Sequence, residues 1–184
     1  VNDRKEALIS EFARYRVEQL ESPCFVLFRG RAKFIDSHTI RVGSKSLKSK
    51  SIVIATGSNT SHIPIPGLDD VGYITSDEAL DLRSLPKSMI VLGGGPIATE
   101  LGQFFCRMGS RTTLIQRSSH LYSSSDEDLA RPVEAKFREE GMSVYTGTRL
   151  TRFTRKERRI TAHFVQDGRY RRASAECVLQ AMGR

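Results

Sequence analysis

Cysteine is scarce in this sequence and tryptophan is absent. The three cysteines, Cys24, Cys106 and Cys177, are far apart and form no C-x-x-C pair. That pattern argues against a disulfide framework and a zinc site, and predicts reduced, mostly buried thiols in a cytoplasmic protein. No apolar run is long enough to span a bilayer, so no membrane partner is expected. The opening residues Val1-Asn2-Asp3-Arg4-Lys5 precede no apolar signal core, so nothing marks the chain for secretion. His38, His62, His120 and His163 have no carboxylate or cysteine at ligand spacing. They are expected to face solvent or sit in turns, and no metal is expected. There is no low-complexity segment and no internal repeat.

What is present is an ordinary globular balance, 39% hydrophobic and 27% charged over 184 residues, with a net charge of +8. That length suits one domain, or one domain plus part of another. The basic residues concentrate at Arg152–Arg159 and Arg169–Arg172, two segments flanking a hairpin. They read as a solvated face rather than a nucleic-acid site, and the same charge attracts an anionic dinucleotide. The chain stops at Met182-Gly183-Arg184, directly after an apolar strand-like run, which reads as a truncation.

Along the chain, Asp3 to Leu20 has helical spacing of Leu8, Ile9, Phe12, Tyr15, Val17 and Leu20. Cys24–Arg29, Ala32–Ile35 and Thr39–Val42 predict short antiparallel strands. Ser51–Ala55 (SIVIA) is a continuous apolar run, predicted as a strand buried on both faces. A loop over 59–70 carries Pro64, Pro66 and Gly67, and Ser76 or Asp77 is expected to cap a short helix. A domain boundary is placed between about Gly72 and Asp77.

From Lys87 the pattern becomes βαβ. Met89–Leu92 predicts a buried strand. Ile97 to Met108 predicts a helix with Ile97, Leu101, Phe104, Phe105 and Met108 on one face, and Gly109 stands where a C-terminal glycine belongs. Thr112–Ile115 is a second strand. Ser125-Asp126-Glu127-Asp128 opens a further helix that Gly141 ends. Strands follow at Ser143–Tyr145, Leu150–Phe153, Arg159–Phe164, Tyr170–Ala175 and Cys177–Ala181, with a hairpin turn at Gln166-Asp167-Gly168.

The informative stretch is Ile90-Val91-Leu92-Gly93-Gly94-Gly95-Pro96-Ile97-Ala98. It fits G-x-G-x-x-[GA] between a strand and a helix, the context that makes this pattern a dinucleotide turn. Gly93 permits the sharp turn, Gly95 lets a pyrophosphate approach the backbone, and Ala98 lets helix and strand pack closely. Pro96 closes the tight turn and Ile97 begins the helix, whose N-terminus faces the phosphates. About twenty residues on, a carboxylate would favour NAD. This chain has Gln116-Arg117 instead, so no acid repels a phosphate and a guanidinium is available to pair with one. The expected cofactor is therefore NADP(H) or NAD(H), with NADP(H) preferred.

Several motifs in order extend this reading. Ala55-Thr56-Gly57-Ser58 comes first, followed by Ile65-Pro66-Gly67 and Thr75-Ser76-Asp77-Glu78-Ala79-Leu80. Leu85-Pro86-Lys87-Ser88, Gly93 to Glu100 and Ala181-Met182-Gly183-Arg184 complete the series. Together they resemble the FAD-dependent pyridine nucleotide-disulfide oxidoreductases, in particular the mercuric reductase and dihydrolipoamide dehydrogenase branch.

The resemblance implies an α/β fold in which a Rossmann-like NAD(P)-binding domain is inserted into an FAD domain. Residues 1–76 would be part of the FAD domain, 77–180 the NAD(P)H domain, and 181–184 the start of the return. It implies FAD contacts at Gly30, Ala32, Ala55, Thr56 and Gly57, a cofactor contact at Gly183, and Glu100 near the nicotinamide carboxamide. Pro96 stands where some members carry a gating tyrosine. The N-terminal FAD glycine motif, the C-x-x-x-x-C redox pair and the C-terminal domain with its His-Glu pair are absent from this chain. Ser123 stands near the place where NADPH-using relatives often carry a second arginine.

The function expected from this likeness is passage of hydride from NAD(P)H to FAD and on to a disulfide or related acceptor, in a homodimeric full-length protein. No catalytic residue is assigned to this chain, and the fragment alone is expected to be inactive. The alternative is a non-catalytic nucleotide-binding or basic docking module.

Overall fold

A computed structural model describes residues 2–183, so Val1 and Arg184, the end of the last motif, lie outside the described residues. Two compact units divide the chain, residues 1–57 and 58–184. The division falls before the boundary expected at 76/77. Residues 58–76 pack with the later part of the chain: Leu68 and Val71 join a core cluster with Phe153 and Phe164, and Ile74 lies in a parallel bridge with Leu179.

In the first unit, helix α1 spans Asn2–Leu20. Strands β1 (Ala32–Asp36), β2 (Thr39–Val42) and β3 (Lys45–Lys48) form an antiparallel meander. Two sequence expectations fail here. Cys24–Arg29 and Ser51–Ala55 form no strand, and the segment expected to be buried on both faces leaves Val53 89% exposed. A strand is held by ladder hydrogen bonds on its edges, and among the described residues nothing pairs with either segment. Within these residues none of α1 is buried either. Cys24 is exposed, while Cys106 and Cys177 are half-buried and all three are free.

The second unit is built on a parallel sheet of order β10-β4-β5-β6, made of Cys177–Gln180, Ser88–Leu92, Arg111–Ile115 and Ser143–Tyr145. Every residue of β4 is buried, as an apolar run flanked by strands and covered on both faces requires. The two faces read off alternately. Ile90, Leu92, Ile115 and Val178 pack on one side with Phe153, Ile160 and Phe164. Those partners come from an antiparallel sheet, β7 (Thr148–Lys156), β8 (Arg159–Gln166) and β9 (Arg169–Ala175). Met89, Val91, Leu114 and Leu179 pack on the other side with Ala98, Phe105, Ala130 and Phe137. These belong to helices α4 (Pro96–Arg107) and α5 (Glu127–Glu139). Two very short helices, α2 (Leu68–Val71) and α3 (Ser76–Asp81), precede β4.

Some local predictions shift by a turn or a face. The cap of α3 is Thr75, not Ser76 or Asp77. Thr75 accepts from the Asp77 amide while Glu78 accepts from the Thr75 amide, a capping box. The Thr75 hydroxyl and amide, in that order, hold the Glu78 carboxyl below its ordinary pKa. On α4 the buried residues are Ala98, Thr99, Gly102 and Phe105, whereas Ile97, Phe104 and Met108 are at least 40% exposed. The helix sits so close to the sheet that a Cβ on Gly102 would lie 3.3 Å from the Met142 methyl and 3.7 Å from a Val91 methyl. Small residues, with Phe105 the one large exception, therefore make up the buried face. Asp126 precedes α5 without making a side-chain cap. The hairpin turn between β8 and β9 has Asp167 at φ 50° and Gly168 at φ 72°, the left-handed pair expected of a tight I′ turn.

An ion pair ties the ends of the two helices. Arg107 donates to both oxygens of Glu140 at 2.9 and 2.6 Å, and Gln103 donates to the same carboxylate at 3.0 Å. The Arg107 bonds first, then that of Gln103, draw the Glu140 pKa down to about 2. Because the folded value lies below the unfolded one, this stabilisation is complete above the ordinary glutamate pKa of about 4.3. It is lost as pH falls toward about 2. In an NMR titration, Arg107→Ala should move the Glu140 midpoint upward toward the ordinary value. An unmoved midpoint would show that the arginine is not the cause.

Candidate functional site

The glycine turn joins β4 to α4 at the C-terminal edge of the parallel sheet. Strands β5 and β6 lie to one side of β4 and β10 to the other, so the strand order reverses beside β4. Ligand crevices in open α/β sheets lie at such a reversal, beyond the carboxyl ends of the strands. A cavity of about 470 Å³ is found there. It is lined by Gly93 to Ile97 after β4, Gln116 to Ser118 after β5, and Gln180 to Gly183 at the end of β10. All of its lining residues belong to the second unit.

The three glycines of the turn have different environments. Gly93 has φ 117°, and a Cβ there would lie 2.4 Å from the Ala181 carbonyl oxygen. Its amide donates to the Ile115 carbonyl at 3.0 Å, locking the turn to β5. A Cβ on Gly94 would press into the buried Gln116 side chain at 2.8 Å. Its carbonyl accepts from the Tyr122 amide at 2.7 Å. Gly95 has ordinary extended backbone, φ −84° and ψ −178°, and a Cβ there meets nothing within 4 Å. Neither strain nor packing demands glycine at 95, and the position borders the cavity.

Helix α4 begins at Pro96, which has no N–H, so Ile97 is the first residue whose amide the helix can present. Thr99 turns its hydroxyl back to the carbonyls of Gly95 and Pro96 at 3.1 and 2.9 Å and contacts the Tyr122 hydroxyl at 2.7 Å. These bonds hold the first turn rigid. The loop beyond β5 is anchored by the Leu121 amide, which donates to the buried Glu134 carboxylate at 3.0 Å.

Gln116 is buried, and its side-chain oxygen accepts from the Arg117 amide at 3.1 Å, while Arg117 itself is exposed at the cavity. Gly183 lines the cavity with φ 122°, and its carbonyl accepts from Ser61 at 3.0 Å. Ser123 also lines the cavity. Glu100 is exposed one turn into α4 and is not among the lining residues. Gly30, Ala32, Ala55, Thr56 and Gly57 all lie in the first unit. Gly30 precedes β1, Ala32 begins it, and Ala55, Thr56 and Gly57 sit in irregular, exposed chain.

Sequence reading did not anticipate Thr148, Arg149, Leu150 or Gln180 at the cavity. Gln180 is buried, with its amide nitrogen donating to Ser61 at 2.6 Å and its oxygen unpartnered. No motif in the sequence marks these residues, since they enter through pairing of distant strands. Of the histidines, His163 is half-buried within β8 against Thr154 at 3.0 Å, not in a turn. Burial first, then Arg152 and Arg172, lower its pKa. Among the described residues no cluster of three or more His, Cys, Asp or Glu side chains is placed to hold a metal, and no helix is long and apolar enough to cross a membrane.

Comparison with known proteins gives a consistent family. The model of the pyridine nucleotide-disulphide oxidoreductases matches residues 4–184. A mercuric reductase of Staphylococcus aureus is 34% identical over 185 residues, covering 100% of this chain and 34% of that protein. A dihydrolipoyl dehydrogenase of Bacillus subtilis (strain 168) is 28% identical over 188 residues, 100% of this chain and 41% of the relative. The HOCl-induced flavoprotein disulfide reductase RclA from Escherichia coli superposes with a TM-score of 0.86 at 26% identity, covering 100% of this chain and 42% of that one. The chain thus spans roughly a third to two-fifths of the length of these relatives.

Proposed function

This chain belongs to the pyridine nucleotide-disulphide oxidoreductase family, and from that premise we propose that it is the nicotinamide-dinucleotide-binding part of a flavin-dependent oxidoreductase. The observation that carries the reading is Gly95. It is a glycine that neither backbone conformation nor packing requires, at the mouth of a cavity, directly before a helix N-terminus. Space in front of an unstrained glycine is what a pyrophosphate needs to reach the backbone. The N–H groups from Ile97 onward and the positive end of the helix dipole favour its charge. Ala98, fully buried against the sheet, sets how close the helix stands.

Across the sheet edge from this turn, Arg117 offers a guanidinium to the adenosine end, with no carboxylate among the lining residues. That favours NADP(H) over NAD(H). The residues after β10, Ala181 to Gly183, extend toward the nicotinamide end, and Glu100 would meet the carboxamide. When both cofactors are bound, the nicotinamide supplies a hydride and the FAD accepts it. This chain's part is to bind and orient the dinucleotide. The FAD contacts at Gly30, Ala32, Ala55, Thr56 and Gly57, and the assignment of 1–76 to an FAD domain, rest on sequence likeness. The final acceptor, a disulfide or related group, would be reduced by residues beyond these 184, so the isolated chain is expected to reduce none.

The full-length protein should be yellow, and NADPH added without oxygen should bleach the flavin. A colourless protein, or a flavin that NADPH leaves unbleached, would overturn the reading. Arg117→Ala should weaken NADPH by roughly tenfold, the size of a lost charge-assisted hydrogen bond, and leave NADH nearly unchanged. Equal losses for the two cofactors in titration calorimetry would remove Arg117 from the phosphate.

A further inference from the structure

The antiparallel sheet β7-β8-β9 has one face in the core and one turned outward. Phe153, Ala162 and Ala173 pair across its three strands and pack against the parallel sheet. Side chains alternate along a strand, so the rows on either side of that one point the other way. Those rows are Arg152-His163-Arg172 and Thr154-Thr161-Ser174, and Lys156 pairs with Arg159 one step further on the same face. Strand pairing thus gathers on one face cations that the sequence divides between two segments. Arg152, Arg172, Lys156 and Arg159 are exposed, and among the described residues none of them forms an ion pair. No Asp or Glu belongs to these strands beyond their ends: Glu157, Asp167 and Glu176 each follow one of them. Arg152 and Arg172 flank His163 closely enough that both, after burial, lower its pKa. That shared neighbour sets this pair apart from arginines scattered elsewhere on the surface. Tyr170, two residues before Arg172 and so on the same face, is 84% exposed, more than any other aromatic side chain among the described residues.

Cations held on one face without counter-charge repel one another, a cost that a bound polyanion removes. The free tyrosine ring selects among polyanions. A carboxylate-rich polypeptide would pair with the arginines and leave the ring idle, and a duplex hides the faces of its bases. A single strand supplies both phosphates and open base faces. We propose that the outer face of β7-β8-β9 docks single-stranded nucleic acid, with phosphates on Arg152 and Arg172 and a base stacked on Tyr170. Lys156 and Arg159 continue the track. From Val165, opposite Tyr170, to Arg159 the face runs six residues of β8, about 20 Å. Contacts to backbone phosphates and to the flat of a base carry little sequence information, so binding is sequence-tolerant. Neither these cations nor Tyr170 lines the dinucleotide cavity, so the two surfaces are separate.

The test uses the full-length protein and a fluorescein-labelled oligo(dT) of about 15 nucleotides, followed by fluorescence anisotropy. The unsubstituted protein should bind it, with log K falling against log salt by about 0.7 for each phosphate contacted. Arg152→Gln and Arg172→Gln should each flatten that slope by about 0.7 and weaken binding about tenfold at low salt. Tyr170→Ala should weaken binding about tenfold and leave the slope unchanged, while Tyr170→Phe, which keeps the ring, should stay within about twofold of the parent. Arg152→Lys should keep the slope, so these two conservative variants carry the reading even where a truncation unfolds the protein. Saturating NADPH should leave the oligonucleotide bound. No binding by the unsubstituted protein would overturn the proposal, as would Gln and Ala variants that bind like the parent. Equal affinity for poly-L-glutamate would assign the face to an acidic protein partner instead, and equal affinity for a duplex would remove the stacked base. Displacement by NADPH would put the oligonucleotide in the cavity and overturn the proposal without touching the dinucleotide site.

Discussion

Gly93→Ala should lower the melting temperature by about 10 °C. Two costs add. Alanine at φ 117° leaves the allowed region for a residue with a side chain, which costs about 1–3 kcal/mol. Its methyl would also lie 2.4 Å from the Ala181 carbonyl oxygen, a backbone atom that cannot rotate away. Relief needs β10 to move from β4, with a packing cost of about 1–3 kcal/mol more. In a unit of this size each kcal/mol is worth about 3–4 °C. The position joins the ends of β4, β5 and β10, so the loss should spread to the whole sheet edge. Thermal unfolding followed by circular dichroism reads it out, and a melting temperature within about 2 °C of the parent's would show that the turn does not need glycine at 93.

Gly95→Ala should do the opposite. The backbone at 95 is extended and a Cβ there meets open space, so the fold should keep its melting temperature. The methyl would instead occupy the approach of the pyrophosphate to the helix N-terminus. Displacing that group forfeits the equivalent of one strong charge-assisted bond, about 1.5–3 kcal/mol, so affinity for NADPH and NADH should fall on the order of 100-fold. Here the two cofactors should suffer alike, in contrast to Arg117→Ala, because both carry the pyrophosphate. Unimpaired binding by a well-folded Gly95→Ala protein would mean that the phosphates lie elsewhere. Destabilisation equal to that of Gly93→Ala would mean that residue 95 serves the fold after all. The pair of substitutions, two residues apart in one motif, therefore separates architecture from recognition.

How much of the fold and the site is legible in the sequence varies with the range of the interaction concerned. The β4-turn-α4-β5 succession is legible from Met89 to Ile115, because a buried strand, a glycine turn and a helix each depend on residues within a few positions. The hairpin at Asp167-Gly168 is legible for the same reason. The buried face of α4 is legible only in part: Phe105 is buried and Leu101 packs against the core as the spacing predicts, yet close packing adds Ala98 and Gly102 and leaves Ile97, Phe104 and Met108 exposed. Ser51–Ala55 misleads differently: its composition suits a central strand, but a strand exists only with neighbours, and among the described residues it has none.

By itself the sequence determined the glycine turn, the small residue at 98, the absence of an acid after β5 and the arginine at 117. These are local choices, imposed by backbone conformation and by the chemistry of one loop. Only the tertiary structure decided that Gly93 lies against the backbone that continues β10, that Gly95 faces open space, and that Thr148 and Arg149 line the same cavity as Gln116 and Arg117. Those facts depend on strands joined across long stretches of chain, as in the bond from Thr148 to Gln116 over 32 residues. Periodicity reports which face of an element is apolar, whereas the partner that covers it is chosen by packing and hydrogen bonding of the folded whole.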